Sequence, residues 1–294
     1  MRVTALQTGL GHGQLVPELP EVETIRRQLE AKIVGDSVES VALLGSRVIR
    51  RGSTDGLQSW IPQQVVGVDR VGKFLAIRML NGSALVMHLG MSGHLRLSTG
   101  ERRAMHTQCS LTLASGQVLD FVDPRTFGEL IYVAAWSLDP PHADVLSHIG
   151  VDLLMDAATV LDRVSARFSQ ARRSVKAFIM DQRMMAGLGN MYADEALYRA
   201  GIHPEEPCAR LGNECLRSLV ASIHRVLDEA IAFGGSTFED RGYRNLEGEG
   251  GYYPYLLVYR RQLRRCLLCY SVIERVRYQG RYSHFCPQCQ RRLS

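Results

Sequence analysis

Four cysteines near the C-terminus form the strongest chemical pattern in the sequence. Cys266-x2-Cys269 and Cys286-x2-Cys289 are two close pairs with 16 residues between them. Two thiolate pairs at this spacing are typical of a tetrahedral Zn²⁺ site between two turns of a β-hairpin, and four protein ligands leave no open position for a substrate. A reducing cytoplasm disfavours the alternative of two disulfides. The pattern therefore predicts one structural Zn²⁺.

Positive charge is concentrated around these cysteines. The segment from Arg260 to Ser294 holds nine arginines and one acidic residue, Glu274. A compact basic module indicates a polyanionic partner such as a phosphate backbone, and a solvated basic tail is the alternative. Arg281 lies where the hairpin between the cysteine pairs should turn, so zinc would hold it at the tip of a rigid finger. A phosphate contact and a solvated turn arginine are its two interpretations.

Lysine is rare in this chain. Lys32, Lys73 and Lys176 are its three lysines, against 32 arginines. Arginine cannot replace a compact ammonium group that loses a proton or fits a narrow site. The surviving lysines are therefore candidates for specific roles.

A glycine-rich turn, Gly187-Leu188-Gly189-Asn190, joins two predicted helices. Glycines allow the backbone to approach a ligand closely, and free amides at a helix start favour phosphate. Such turns are also common as purely structural connections. Beside a zinc hairpin, the turn suggests a two-part grip on one DNA backbone.

The elements that must position these residues change along the chain. Pro20–Leu29 has the pattern of an amphipathic helix with proline in its first turn. Between residues 38 and 134, short segments rich in Val, Ile and Leu flank turn signals such as Asn81-Gly82 and Ser115-Gly116, which predicts an antiparallel β-sandwich or barrel. Helical spacing dominates from Leu161 to about Phe233.

Composition limits the class of protein. With 46% hydrophobic and 22% charged residues, the 294-residue chain has the balance of a soluble globular protein. No apolar run approaches the length of a membrane span, and the first sixteen residues lack the features of a secretion signal. We expect a cytoplasmic protein without a membrane partner.

The segment Pro17–Thr24 resembles the N-terminal sequence of the formamidopyrimidine-DNA glycosylase and endonuclease VIII family, and its Leu19-Pro20 form is similar to the first branch. The resemblance extends to about Leu293. Its further motifs are His88–Gly93, Asp123–Gly128, Gly187–Glu195, Gly234–Thr237 and the cysteine ribbon with Arg281.

This resemblance implies an α+β fold with an N-terminal antiparallel β-sandwich, a helical domain with a helix–two-turns–helix element, and a C-terminal zinc ribbon. Together with the loss of periodicity at Pro140-Pro141, it predicts domains at 17–140, 150–245 and 255–294. Residues 1–16 are expected to be a non-native N-terminal extension.

The resemblance also implies the catalytic residues. Pro17 corresponds to a proline whose free N-terminal amine attacks the sugar C1′ and displaces the damaged base. Glu18 corresponds to the general acid/base acting on the sugar ring, and Lys73 to a lysine that supports chemistry at the lesion phosphate.

The expected DNA-binding residues either fill the space left by a base rotated out of the duplex or hold phosphates beside the lesion. They are Met91, Arg125, Phe127, Lys176, Asn190 and Arg281.

The implied activity is a bifunctional DNA glycosylase and AP lyase that acts as a monomer on double-stranded DNA containing a damaged base. It would excise oxidised purines such as 8-oxoguanine and formamidopyrimidines, and cut the strand by β- and δ-elimination without a catalytic metal or organic cofactor. An endonuclease VIII-like enzyme for oxidised pyrimidines is one alternative. A damaged-DNA binder without catalysis is another, if Pro17 stays within a peptide bond.

Three departures from the family pattern stand out. Arg260 occupies a position where the family usually has glycine, and the loop Glu239–Gly251 does not align with the family's stretch that contacts the extruded base. Sixteen residues also precede Pro17. Because an amide nitrogen cannot attack a sugar carbon, we expect residues 1–16 to be absent from the working enzyme. Translation from a GTG codon for Val16 is the favoured explanation, and an extension removed by a protease or one that silences the enzyme are the alternatives.

Overall fold

Helix α1 (Leu19–Ile33) begins the first folded element of the computed structural model, which describes residues 16–45, 49–51, 55–100, 103–139, 143–238, 243–278 and 280–293. Pro20 lies in its first turn, and its buried face includes Val22, Ile25 and Leu29. The predicted helix is confirmed and continues for one more turn. Residues 1–15 of the predicted extension lie outside the described residues.

The N-terminal half is built from two sheets around a shared core. Their strands are β1 (Val38–Leu43), β2 (Ile49–Arg51), β3 (Val65–Val71), β4 (Phe74–Met79), β5 (Ala84–His88), β6 (His94–Thr99), β7 (Thr107–Leu113), β8 (Gln117–Val122) and β9 (Glu129–Val133), with the short helix α2 (Asp55–Gln58) between β2 and β3. The sheet orders are β1-β7-β8-β6 and β2-β9-β5-β4-β3. Side chains of both sheets and of α1 form one core cluster, as a sandwich requires.

Pairing in this half is antiparallel, except that β2 runs parallel to β9. The two predicted turns are confirmed, since Gly82 (φ 83°) connects β4 to β5 and Gly116 (φ 81°) connects β7 to β8. Strand β6 was not among the predicted segments, because it contains neither valine nor isoleucine, although its two leucines alternate with polar residues.

The second half is helical. It contains α3 (Ala143–Leu146), α4 (Ala157–Gln170), α5 (Val175–Ile179), α6 (Asn190–Arg199) and α7 (Asn213–Ala232), and the two-residue strands β10 (Val151–Asp152) and β11 (Met185–Ala186) pair in parallel. The helices surround a separate core that includes Phe168, Phe178 and Tyr192. Among the helices of the described ranges, none is long and apolar enough to cross a membrane.

The C-terminal segment folds as a hairpin on α6. Strands β12 (Glu274–Tyr278) and β13 (Arg281–Phe285) pair in antiparallel register. Glu195 accepts backbone hydrogen bonds from Leu257, Val258 and Tyr259 at 2.8–2.9 Å. Helix α6 therefore fixes the chain that leads into the hairpin.

Candidate active site

Glu18 lies where the two halves meet. It directly precedes α1, and its buried carboxylate accepts hydrogen bonds from the amides of Gly189 (2.6 Å), Met191 (3.0 Å) and Tyr192 (3.4 Å) at the start of α6. A Cβ on Gly189 would stand 2.4 Å from the Glu18 carboxyl carbon. Glycine is therefore required there by the approach of the protein's own carboxylate.

This arrangement corrects one sequence prediction. The amides at the start of α6 were expected to bind a phosphate, but those of Gly189, Met191 and Tyr192 are used by Glu18. The physical attraction of a helix N-terminus for an anion holds. Here the anion at the helix N-terminus is the protein's own Glu18 carboxylate.

Opposing effects act on the ionisation of Glu18. Burial raises its pKa, while the nearby Lys73 ammonium and the three amides favour the carboxylate and limit the rise. Burial also lowers the pKa of Lys73, an effect that Arg281 reinforces and Glu18 opposes. Glu18, Lys73 and Arg281, which are distant in the sequence, thus lie within electrostatic range of one another.

A second buried carboxylate, Glu21, supports the first. It accepts hydrogen bonds from the Glu18 amide (3.0 Å), the Tyr192 hydroxyl (2.6 Å) and the Ser236 amide (2.9 Å). Burial raises the pKa of Glu21 to about 7, against the effect of the Tyr192 hydrogen bond. Through Glu21, the Gly234–Thr237 motif contributes to holding the start of α1.

Pro17 is buried beside Glu18 at the same junction. The Leu19 amide donates a 3.0 Å hydrogen bond to the Gly187 carbonyl, which fixes this segment against the glycine-rich turn. The structure thus brings Pro17 and Glu18 together with Lys73, as the resemblance implied for the three catalytic candidates.

The turn that carries Lys73 is held by an ion-pair network that the sequence did not reveal. Arg70 pairs with Asp152 through two hydrogen bonds (2.6 and 2.9 Å) and with Glu23 through one (2.9 Å). Asp152 also accepts the amide of Gly72 at 2.7 Å. Gly72 has a left-handed φ of 56°, which favours glycine. This backbone conformation and the hydrogen bond to Asp152 together fix the position of the next residue, Lys73.

His88 is a site residue that sequence reasoning missed, although it begins one of the quoted motifs. Its ring packs against Phe74, with centroids 4.8 Å apart, and its Nδ1 accepts the Gly90 amide at 3.2 Å. Burial lowers the pKa of His88 to about 4, and Lys73 contributes. The imidazole is therefore neutral at physiological pH.

Two neighbouring loops carry the residues expected to fill the duplex. Phe127 is about half exposed, and the Arg125 guanidinium lies 4.6 Å from its ring centroid. Asp123 joins the loops: its carboxylate accepts the Ser92 hydroxyl (2.5 Å) beside Met91 and the Gly128 amide (2.7 Å). Met91, Arg125 and Phe127 therefore lie on two loops that the Asp123 carboxylate connects.

Lys176 is largely buried between α5, α6 and the hairpin. It is 4% exposed, and its ammonium contacts the Tyr282 carbonyl (3.0 Å), the Ser283 hydroxyl (2.9 Å) and Asp194 (2.6 Å). All three donors of the ammonium thus have internal partners. The structure uses Lys176 to join α5, α6 and the hairpin, and the expected DNA contact of Lys176 stays a prediction.

Asn190 and Arg281 lie on either side of that joint. The Asn190 amide donates to the Tyr282 carbonyl at 3.0 Å, while Arg281 is exposed and pairs with Tyr278 at the hairpin tip. A cavity of about 340 Å³ lies beside them, and Arg173, Lys176 and Arg281 are among its lining residues. Lys176 and Arg281, two of the DNA-binding candidates, thus line a recess in which three basic side chains face one acid, Asp181.

The four cysteine sulfurs converge at the opposite end of the hairpin. All lie within 4.8 Å of one another, with Cys266–Cys289 at 3.9 Å and Cys269–Cys286 at 3.3 Å. A tetrahedral zinc with Zn–S bonds of about 2.3 Å separates its sulfurs by about 3.8 Å. The residues therefore fit a metal ion of this kind.

Comparison with known proteins connects this geometry to a family. Residues 16–130 match the formamidopyrimidine-DNA glycosylase N-terminal domain, and residues 149–241 match the formamidopyrimidine-DNA glycosylase H2TH domain. A formamidopyrimidine-DNA glycosylase from Nitrosococcus oceani is 37% identical over 94% of this chain and 100% of its own length. The chain belongs to the formamidopyrimidine-DNA glycosylase family. The corresponding protein of Alkalilimnicola ehrlichii is 40% identical over the same shares.

Solved structures of the family have the same fold. The MutM (Fpg) protein of Thermus thermophilus superposes with a TM-score of 0.82 at 37% identity, covering 95% of this chain and 100% of its own. The Lactococcus lactis Fpg in complex with DNA containing an abasic site has a TM-score of 0.83 at 31% identity, covering 94% and 100%. The α+β fold with a sandwich, a helical domain and a four-cysteine ribbon is thereby confirmed.

Proposed function

We propose that this chain is a bifunctional DNA glycosylase and AP lyase of base excision repair that removes oxidised purines from double-stranded DNA. The observation that carries the proposal is the junction of Pro17, the buried Glu18 carboxylate and Lys73 between the two halves. The Lactococcus lactis relative forms complexes with DNA containing Fapy-dG and with DNA containing an abasic site. Family membership and site geometry support the same activity.

In the proposed reaction, the free amine of Pro17 forms a bond to C1′ of the damaged nucleotide, and the bond from C1′ to the base breaks. Glu18 exchanges a proton with the opening sugar, which requires that both of its protonation states be accessible. Its pKa, raised by burial and restrained by Lys73 and the α6 amides, supports that role. Loss of a proton from C2′ of the resulting iminium then expels the 3′ phosphate, and a further elimination expels the 5′ phosphate.

DNA would lie across the cleft between the halves. Met91, Arg125 and Phe127 would fill the space left by the extruded nucleotide, and Asn190 and Arg281 would hold phosphates beside the lesion. Lys73 would support the chemistry at the lesion phosphate. Lys176 would contact DNA at the recess that it lines with Arg281, and it also fixes the hairpin strand that includes Arg281.

Zinc is the ion we propose for the cysteine ribbon, because four thiolates at these distances suit it and leave no catalytic position. We also propose that the enzyme acts as a monomer, since one chain supplies every residue of the site described above. The domain limits 17–140, 150–245 and 255–294 belong to the same proposal.

Borohydride trapping on duplexes containing 8-oxoguanine tests the function. We expect a form that begins at Pro17 to be trapped covalently, because its amine is free, and an intact 294-residue form to bind without trapping. Glu18→Gln in the short form should retain binding while base removal falls roughly 10²-fold. Equal trapping by both forms, with intact masses, would exclude Pro17 as the nucleophile.

Lesion preference separates the two enzyme branches. Matched duplexes that carry 8-oxoguanine or an oxidised pyrimidine at one position are compared by single-turnover excision. Faster excision of the oxidised pyrimidine would instead support the endonuclease VIII-like alternative. Binding without excision of either lesion by the short form would support a damaged-DNA binder.

A further inference from the structure

An exposed apolar surface lies on the first cysteine turn of the ribbon. Among the large hydrophobic side chains of the described residues, six are at least 60% exposed, and four of them fall within eight residues. We call this surface the knuckle patch, and its members are Leu263, Leu267, Leu268, Tyr270 and Val272. Clusters of this kind mark interaction sites more often than scattered exposed residues do.

Backbone hydrogen bonds hold these side chains together. The Leu263 amide donates to the Ile273 carbonyl at 3.0 Å, and the Cys266 amide donates to the Ser271 carbonyl at 2.7 Å. Arg265 forms an isolated bridge with Val272. The knuckle patch is thus one small, ordered surface.

Leu263 adds an energetic observation. It has a left-handed φ of 66° and is 86% exposed. An apolar residue pays a conformational cost in that region, and exposure gives it no packing in return. A strained backbone that displays an apolar side chain indicates a function outside the isolated fold.

The charge around the knuckle patch indicates what would cover it. Residues 260–273 include four arginines and no acid, and Arg264 and Arg265 are exposed. Arg260 lies over the Phe238 ring, which leaves three arginines in this segment. A zinc centre with four thiolates carries a formal charge of −2, so these three still leave a net positive charge beside the leucines. The surface therefore complements a ligand that is both acidic and apolar.

A DNA backbone supplies the negative charge but not the apolar groups. The patch also lies at the far end of the hairpin from Arg281, about 15 Å away along five-residue strands. DNA gripped at the hairpin tip would leave it accessible. We propose that the knuckle patch docks an acidic peptide segment with apolar side chains from a partner protein.

The test uses the full zinc-loaded chain and a fluorescein-labelled ten-residue peptide in which aspartate alternates with leucine and phenylalanine. We expect binding by fluorescence anisotropy, weakened about tenfold by Leu268→Ser and similarly by the double change Arg264→Ala and Arg265→Ala. Met105→Ser and Arg217→Ala, at exposed positions elsewhere, should bind as the parent does. A peptide with asparagine for each aspartate should bind weakly.

Three results would overturn the proposal. Unchanged peptide affinity in Leu268→Ser, with metal content retained, would remove the patch from peptide binding. Displacement of the peptide by a duplex, together with weaker duplex binding by Leu268→Ser, would assign the patch to the DNA interface. A dimer in sedimentation velocity that Leu268→Ser dissociates would assign it to a second copy of this chain.

Discussion

Asp152→Asn removes a negative charge from the network that holds the turn before Lys73. Asp152 makes two hydrogen bonds to Arg70 and accepts the amides of Gly72 and Leu154. Breaking a fully buried ion pair costs about 3–5 kcal/mol. Glu23 would still pair with Arg70, and Asp152 is 18% exposed, so we expect a smaller loss of about 2–3 kcal/mol in the free energy of unfolding.

The catalytic effect should exceed the effect on stability at working temperature. Asparagine keeps one oxygen acceptor and cannot serve both Arg70 and the Gly72 amide as the carboxylate does. A displacement of the Lys73 ammonium by about 1 Å can cost roughly 10²-fold in rate. Single-turnover base excision by Asp152→Asn should therefore slow by roughly 10–100-fold with little change in duplex affinity. Asp152→Glu, which keeps the carboxylate, should recover part of the lost rate.

Glu229→Gln provides the matched control. Glu229 pairs with Arg199 through two hydrogen bonds of 2.8 and 2.6 Å, in the helical half and away from Lys73. Urea unfolding should show a loss of stability in both variants, whereas excision should slow in Asp152→Asn alone. If both variants lose stability but both excise the base at the parent rate, the network does not position Lys73.

Three further predictions concern charge and metal. Arg281→Ala should weaken binding similarly across DNA sequences and reduce the slope of log K against log salt concentration by about one unit. Titrations at several salt concentrations measure this slope, and an unchanged slope would mean that Arg281 makes no phosphate contact. Cys266→Ser should abolish binding of one zinc equivalent and DNA affinity while the β-sandwich stays folded, as metal analysis and circular dichroism can check. Burial raises the pKa of Glu21 from its usual 4.5 to about 7, so the folded chain binds a proton that the unfolded chain loses between these pH values. The free energy of unfolding should therefore fall by roughly 3 kcal/mol as the pH rises through this range. Glu21→Gln should flatten the pH dependence of urea unfolding over that window, and an unaltered slope there would contradict the assignment.

Local patterns in the sequence predicted the elements with strong periodicity. Helix α1, the strands flanking Gly82 and Gly116, and the paired cysteines were predicted because residues close in sequence determine each of them. Strand β6 was missed although Leu95 and Leu97 alternate with polar residues, because two leucines in six residues are a weak signal and pairing with β8 defines the strand.

The contacts between distant residues could not be predicted in this way. Asp152 lies 82 residues from Arg70, and nothing near either residue indicates the pairing. The resemblance placed Lys176 among the DNA-binding residues, but nothing near it in the sequence indicates its ion pair with Asp194 or its hydrogen bond to the hairpin. The family resemblance supplied roles for the matching positions and not the side chains that support them.

Glu18 shows how such long-range contacts join fold and chemistry. It belongs to the β-rich half by its position before α1, yet the amides that bind its carboxylate belong to α6 in the helical half. A carboxylate buried without those amides would stay protonated, and one exposed to water would stay ionised. Burial raises the pKa of Glu18, while the amides and Lys73 oppose the rise. Its pKa therefore lies between that of a buried, unpaired carboxyl group and that of an exposed one only when the two halves are in contact. The contacts between the halves therefore set the ionisation of Glu18, the proposed acid/base group, and separating the halves would change its pKa as well as expose Leu19, which packs in the core of the helical half.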